Sequence, residues 1–344
     1  VRVLIVDDSA LMRRVIWGLL EEDPEIQVVG SAVDGLDAIE KVAQLKPDVL
    51  TLDVEMPRLD GLQTLGYLMS ENPVPCVMLS AYTPRGAETT LKALDFGATD
   101  FVQKPSGAIS LNLERVKEEL LAKVKVAKGI DLRRLPFTGA APAPPAAPKP
   151  KPVADRGSVV AIGTSTGGPR ALHALLPALP QDLPVPVLVV QHMSAGFTRS
   201  LAERLDRECL LKVKEAEADE VLEPGVVYMA PGDWHMQVQR EAAGVRVKLD
   251  QRPPVLGVRP SVDHLFASVA EAYGPKAIGV VLTGMGRDGA KGLKAMKARQ
   301  AVTLAQDEAS SVVYGMPRAA FAAGCVDRVL DLKAIAPAIV ELLP

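Results

Sequence analysis

The chain has 344 residues, room for two domains at ~100–200 residues each, and its 48% hydrophobic and 24% charged residues are an ordinary globular balance. The formal net charge is −3 and no basic block occurs, which argues against nucleic-acid binding. Three widely spaced cysteines (Cys76, Cys209, Cys325) suit neither a disulfide framework nor a metal knuckle, and no run of ~18 apolar residues or leader pattern occurs. A cytoplasmic protein without membrane insertion is expected.

In chain order, short apolar segments at residues 3–6, 28–32, 49–52, 76–80 and 100–102 read as strands. Helices are expected at about residues 9–22, 35–45, 61–71, 85–96 and 110–128. In the first helix Leu11, Val15, Leu19 and Leu20 mark one apolar face, with Ser9 as N-cap. Such alternation implies a parallel sheet covered on both faces. Residues 139–152, GAAPAPPAAPKPKP, hold no large apolar residue and favour an extended spacer. A linker over 129–156 therefore separates domains at 1–128 and 157–344. After it the alternation resumes with VVAIGTS, VPVLVVQHM and AIGVVLTGM. Segments 226–229, 236–238 and 245–249 read as antiparallel hairpins, with Gly225, Gly232 and Gly244 at the turns.

Sites in open parallel sheets form where strands end. In the first domain those ends carry Asp7 and Asp8, Asp53, Ser80 and Lys104. Converging carboxylates repel unless a hard cation sits among them, and Mg²⁺ is the natural partner. A lysine and a hydroxyl nearby suit phosphoryl transfer to a carboxylate.

In the second domain Gly163-Thr164-Ser165-Thr166-Gly167 follows an apolar strand and precedes a helix. There a serine sits on a tight turn whose N–H groups can stabilise an oxyanion. On that string alone, a phosphate-binding turn is an equal reading. His192 and Asp288 close or follow other buried strands, and Ser, His and Asp at one sheet edge form the minimum hydrolytic set. The order Ser, His, Asp departs from that of ordinary lipases. His173 and His264 read as packing or surface residues, and His235 as one that could line the site. No P-loop ending, no G-x-G-x-x-G after a strand and no histidine pair with zinc spacing occurs.

The motifs VDDSALMR, LDVEMPRLDG, LSAY and QKPSG resemble the receiver domains of bacterial response regulators over residues 1–128. IGTSTGGP, QHM, APGDWHM, RPSVD, LTGMGRDG and AQDEAS…GMPRAA resemble the chemotaxis protein-glutamate methylesterases, the CheB family, over residues 157–344. The resemblance implies a flavodoxin-like receiver with a five-stranded parallel sheet. A doubly wound α/β esterase domain with a small antiparallel hairpin region would follow it. It implies Asp53 as phosphoacceptor, Asp7, Asp8, Asp53 and the Glu55 carbonyl around Mg²⁺, and Ser80, Lys104 and Phe101 as phosphoryl-sensing residues. For the esterase it implies nucleophile Ser165, base His192, orienting acid Asp288 and oxyanion donors in the backbones of Thr166 and Met285, with no cofactor. The implied activity is hydrolysis of glutamyl γ-methyl esters on methyl-accepting chemotaxis receptors, releasing methanol, with glutamine deamidation in some members. A CheA-type histidine kinase would be the phosphodonor. A non-catalytic regulator, or a small-molecule esterase under receiver control, is the competing reading.

Overall fold

The computed structural model describes residues 1–81, 83–104, 113–132, 157–242 and 244–343. Tyr82, residues 105–112 and most of the expected linker (133–156) lie outside the described residues. The chain divides into two compact units, Val1–Ala141 and Pro142–Pro344.

The first unit alternates strand and helix throughout: β1 (Arg2–Val6), α1 (Ala10–Glu21), β2 (Gln27–Ala32), α2 (Gly35–Leu45), β3 (Val49–Asp53) and α3 (Gly61–Glu71) come first. They are followed by β4 (Cys76–Ser80), α4 (Pro84–Asp95), β5 (Asp100–Gln103) and α5 (Leu113–Lys128). Its five strands pair in parallel in the order β2-β1-β3-β4-β5, the flavodoxin-like arrangement. On one face Val3, Ile5, Val77 and Leu79 pack with Ile16 and Leu20 of α1 and Leu120 and Val124 of α5. Ser9 caps α1, its hydroxyl accepting from Met12 N–H at 3.3 Å. The face of α1 differs from the expected one. Leu11 is 63% exposed, and Ile16, Leu19 and Leu20 carry the burial.

The second unit opens with β6 (Val159–Thr164), α6 (Gly168–Leu175), β7 (Val187–Gln191), α7 (Phe197–Glu208), β8 (Lys212–Glu215) and β9 (Val226–Met229). A hairpin follows, of β10 (His235–Glu241) and β11 (Gly244–Asp250), and then α8 (Val262–Tyr273). The chain ends with β12 (Ala277–Val281), α9 (Ala290–Ala298), β13 (Val302–Gln306), α10 (Met316–Ala322), β14 (Arg328–Leu330) and α11 (Leu332–Leu342). A seven-stranded parallel sheet runs β14-β13-β12-β6-β7-β9-β8. Among the described strands only β10 and β11 pair antiparallel, with register from His235↔Asp250 to Glu241↔Gly244. The hairpin expected at residues 226–229 is thus corrected. Those residues are the strand β9, parallel to β7 and β8, and all four are buried as in a strand covered on both faces. Of the three expected turn glycines, Gly225 (φ 73°) and Gly244 (φ 128°) have left-handed backbones. Gly232 instead makes a close approach, since a Cβ there would lie 2.3 Å from Ala195 N.

Candidate functional site

In the first unit the ends of β1, β3, β4 and β5 bring the acidic cluster together. One carboxylate oxygen from each of Asp7, Asp8 and Asp53 lies within 4.8 Å of the others, with Asp7 and Asp53 buried and Asp8 exposed. Lys104 Nζ stands 2.7 Å from both Asp7 Oδ2 and Asp53 Oδ2. Asp7 Oδ1 accepts from Ser9 N–H at 2.9 Å, and Arg13 donates to the Asp7 and Asp8 carbonyls. Burial pushes the Asp53 carboxyl up to about 6, against the opposing charge of Lys104. Burial also works against the Lys104 charge, but Asp53 and Asp7 outweigh it and raise the ammonium above its ordinary value.

Around this cluster, the Glu55 N–H donates to Asp53 Oδ1 at 3.4 Å. Ser80 is buried, and its hydroxyl donates to the Ala81 carbonyl at 3.2 Å. Phe101 is buried at 4% exposure, beneath Lys123 Nζ at 5.3 Å from the ring centroid. Lys123 also donates to the Phe101 carbonyl at 2.6 Å and pairs with Asp100 at 3.1 Å.

In the second unit three neighbouring strands, β12, β6 and β7, end in loops that carry Asp288, Ser165 and His192 respectively. His192 Nε2 meets Asp288 Oδ2 at 2.8 Å, and both side chains are nearly buried, at 9% and 3% exposure. Asp288 receives three further donors: Ser261 Oγ (2.9 Å) and Asp263 N–H (3.1 Å) on Oδ1, and Val262 N–H (2.6 Å) on Oδ2. Burial alone would raise this carboxyl, but the bond and charge of His192 and the two amides hold it below the usual carboxylate range. The neighbouring Asp263 is pushed up by burial and by the Asp288 charge, although Gly292 and Gly289 N–H groups bond it.

Ser165 is half-buried, and its hydroxyl has no hydrogen-bond partner among the described residues. Its backbone is fixed instead. Ser165 N–H donates to the Thr283 carbonyl at 3.0 Å, and its carbonyl accepts from Gly168 N–H and from the Gln191 amide at 2.8 and 2.9 Å. The same Gln191 amide donates to the His192 carbonyl at 3.1 Å, tying the serine turn to the histidine loop. Gly167 adopts φ 80° in that turn, where a Cβ would lie 2.6 Å from Val312 Cβ. Thr166 is buried, and its carbonyl accepts from Thr283 Oγ1 at 2.9 Å. Met285 is half-buried, and its N–H has no partner among the described residues. Of the other histidines, His173 pairs with Glu208 at 2.6 Å, and His264 stacks on His235 with ring centroids 4.2 Å apart. His235 is fully buried and accepts from Ser261 N–H, one bond removed from Asp288.

Sequence reasoning missed Gln191, Ser261 and also Gly284, where a Cβ would lie 2.7 Å from Ser165 Cβ. Only the S-x-D at the start of α8 carried a readable signal, a polar residue before a helix whose free N–H groups suit a carboxylate.

This arrangement resembles known proteins over its whole length. Residues 160–339 match the family model for CheB methylesterase, and residues 3–114 match that for the response regulator receiver domain. A protein-glutamate methylesterase/protein-glutamine glutaminase of Symbiobacterium thermophilum is 50% identical, over 98% of this chain and 96% of its own. One from Pyrococcus horikoshii is 45% identical, over 99% of this chain and 93% of its own. The crystal structure of the Thermotoga maritima CheB methylesterase catalytic domain superposes with a TM-score of 0.53 at 45% identity, covering 54% of this chain and 98% of that one. The chain therefore belongs to the CheB methylesterase family, with a response regulator receiver domain ahead of the esterase.

Proposed function

We propose that the chain is a phosphorylation-regulated protein-glutamate methylesterase of chemotaxis adaptation, with Ser165 as nucleophile, His192 as general base and Asp288 as the acid that orients it. The observation that carries this reading is the 2.8 Å bond between His192 Nε2 and Asp288, made beside the turn that holds Ser165. With its Nε2–H donating a hydrogen bond to the Asp288 carboxylate, the imidazole keeps its Nδ1 lone pair for the serine proton. Ser165 Oγ attacks the γ-carbonyl carbon of a glutamyl methyl ester, and His192 takes the hydroxyl proton. The N–H groups of Thr166 and Met285 receive the oxyanion. The C–O bond to the methoxy group then breaks, and His192 returns its proton to release methanol. Water, deprotonated by His192, resolves the acyl-enzyme to glutamate and restores Ser165. With ammonia as leaving group the same steps deamidate a glutamine, as the names of the relatives record.

In the receiver, Asp53 takes a phosphoryl group from the phosphohistidine of a CheA-type kinase. Three carboxylates within 4.8 Å are a hard-oxygen donor set that fits Mg²⁺, and with the Glu55 carbonyl they would hold it. The bound ion would offset the charge of the incoming phosphoryl group. Lys104 and Ser80 contact its oxygens, and Phe101 follows the change. Among the described residues no helix is long and apolar enough to cross a membrane. Three free thiols suit a cytoplasmic protein acting on the cytoplasmic helices of chemoreceptors.

Methanol release from methylated receptor, with and without a phosphodonor, tests substrate, chemistry and regulation together. Ser165→Ala is expected to release no methanol while Asp53 still accepts phosphate. Turnover by that variant near the wild-type rate would sink the nucleophile assignment.

A further inference from the structure

Three of the four donors on Asp288 come from one place, the chain entering α8. Ser261 stands at the N-cap position of that helix with an extended backbone, yet its hydroxyl makes no cap to its own helix. It turns to Asp288 Oδ1 instead, at 2.9 Å, while the next two amides, of Val262 and Asp263, also point to the Asp288 carboxylate. Asp288, delivered by the loop between β12 and α9, thus takes the place that a cap side chain normally fills.

Ser261 is itself held from behind. It is fully buried, and its N–H donates to His235 Nδ1 at 3.2 Å. His235 Nε2 in turn stands 3.2 Å from the Pro253 carbonyl, so the ring is neutral with its proton on Nε2. The His235 ring also lies stacked on His264, with an interplanar angle of 11°. The Ser261 hydroxyl is therefore aimed by fixed main chain at one carboxylate oxygen. Hydroxyl and Asp263 amide occupy Oδ1, which leaves Oδ2 for His192 and the Val262 amide.

We propose that Ser261 is a positioning residue of the esterase: its hydroxyl fixes the Asp288 carboxylate so that Oδ2 faces His192. This rests on the reading of Ser165, His192 and Asp288 as the hydrolytic set. The hydroxyl does not touch the substrate. It acts by denying the carboxylate a rotation that would weaken its hold on the imidazole as the ring gains charge.

The test is Ser261→Ala in the full chain, assayed by methanol release from methylated receptor, with Asp288→Asn and the double variant beside it. Loss of one hydrogen bond to a charged acceptor is expected to lower kcat about tenfold and to leave KM unchanged. In the Asp288→Asn background the same change is expected to have no further effect, because the carboxylate it positions is gone. A merely structural role would lower the rate equally in both backgrounds, and that result would overturn the proposal. Ser261→Gly is the second variant should Ala unfold, since glycine also lacks the hydroxyl and is well tolerated at an N-cap. If both Ser261 variants keep the wild-type kcat while Asp288→Asn turns over far more slowly, this proposal fails and the hydrolytic set stands. If Asp288→Asn is fully active, the hydrolytic set itself fails and takes Ser261 with it.

Discussion

Gly284 has no room for a side chain because Ser165 already occupies the space. A Cβ there would lie 2.7 Å from Ser165 Cβ, 3.0 Å from Ser165 N and 2.4 Å from Met316 Sδ. Its own backbone is committed too, since its N–H donates to the Val313 carbonyl and its carbonyl accepts from Gly315 and Met316. Gly284→Ala must therefore move the Ser165 turn or Met316. We expect it to lower kcat at least tenfold while costing ~1–3 kcal/mol of stability, read by methanol release and thermal unfolding. A variant with the wild-type rate would show that Met316 alone yields. At this scale Ser165, His192 and Asp288, the proposed hydrolytic set, could be singled out because few functions need those types at strand ends. Gln191, Ser261 and Gly284 act through contacts with residues distant in sequence, and a lone Gln, Ser or Gly in a string says nothing of its partners.

The elements were mostly legible because apolar runs bounded by polar turns leave little choice. The exceptions have physical causes. β9 reads VVYM, a continuous buried run, and its alternating neighbours β10 and β11 drew it into a hairpin pattern that only they form. In α1, Leu11 and Met12 share the first turn, and it is Met12 that packs against the core while Leu11 faces outward and stays exposed. Burial at this scale also controls thiol chemistry. Cys76 begins β4 with no exposed surface, and burial pushes its thiol up to about 12. Cys209, just past α7, is pushed up to about 12 by burial and by the nearby Glu208 and Asp206 charges. At pH 8 only about one such thiol in ten thousand is thiolate. Iodoacetamide is expected to leave both unlabelled in the native protein over minutes and to label them once urea unfolds their units. Rapid native labelling of Cys76 would mean that β4 opens locally.

At the scale of the whole molecule, the second unit carries a seven-stranded sheet with Ser165, His192 and Asp288 just past the C-terminal ends of its three central strands. A related catalytic domain of Thermotoga maritima exists as a crystal structure by itself. The fragment 157–344 is expected to fold alone and to release methanol faster than the full chain without a phosphodonor. Adding the phosphodonor should raise the full chain towards the fragment and leave an Asp53→Ala chain unchanged. An equal or lower basal rate in the folded fragment would count against restraint by the receiver. The division into two units was visible in the proline-rich stretch. The position of the second site was visible only as three strand ends, which the sheet order then made neighbours. Asp288 accepts from Ser261, Val262 and Asp263 at the start of α8 as well as from His192, so its removal is expected to loosen that turn too. The Ser165 hydroxyl has no hydrogen bond to lose among the described residues. Ser165→Ala is thus the form suited to trapping a methylated receptor helix, because the surface that grips the substrate outlives the loss of turnover.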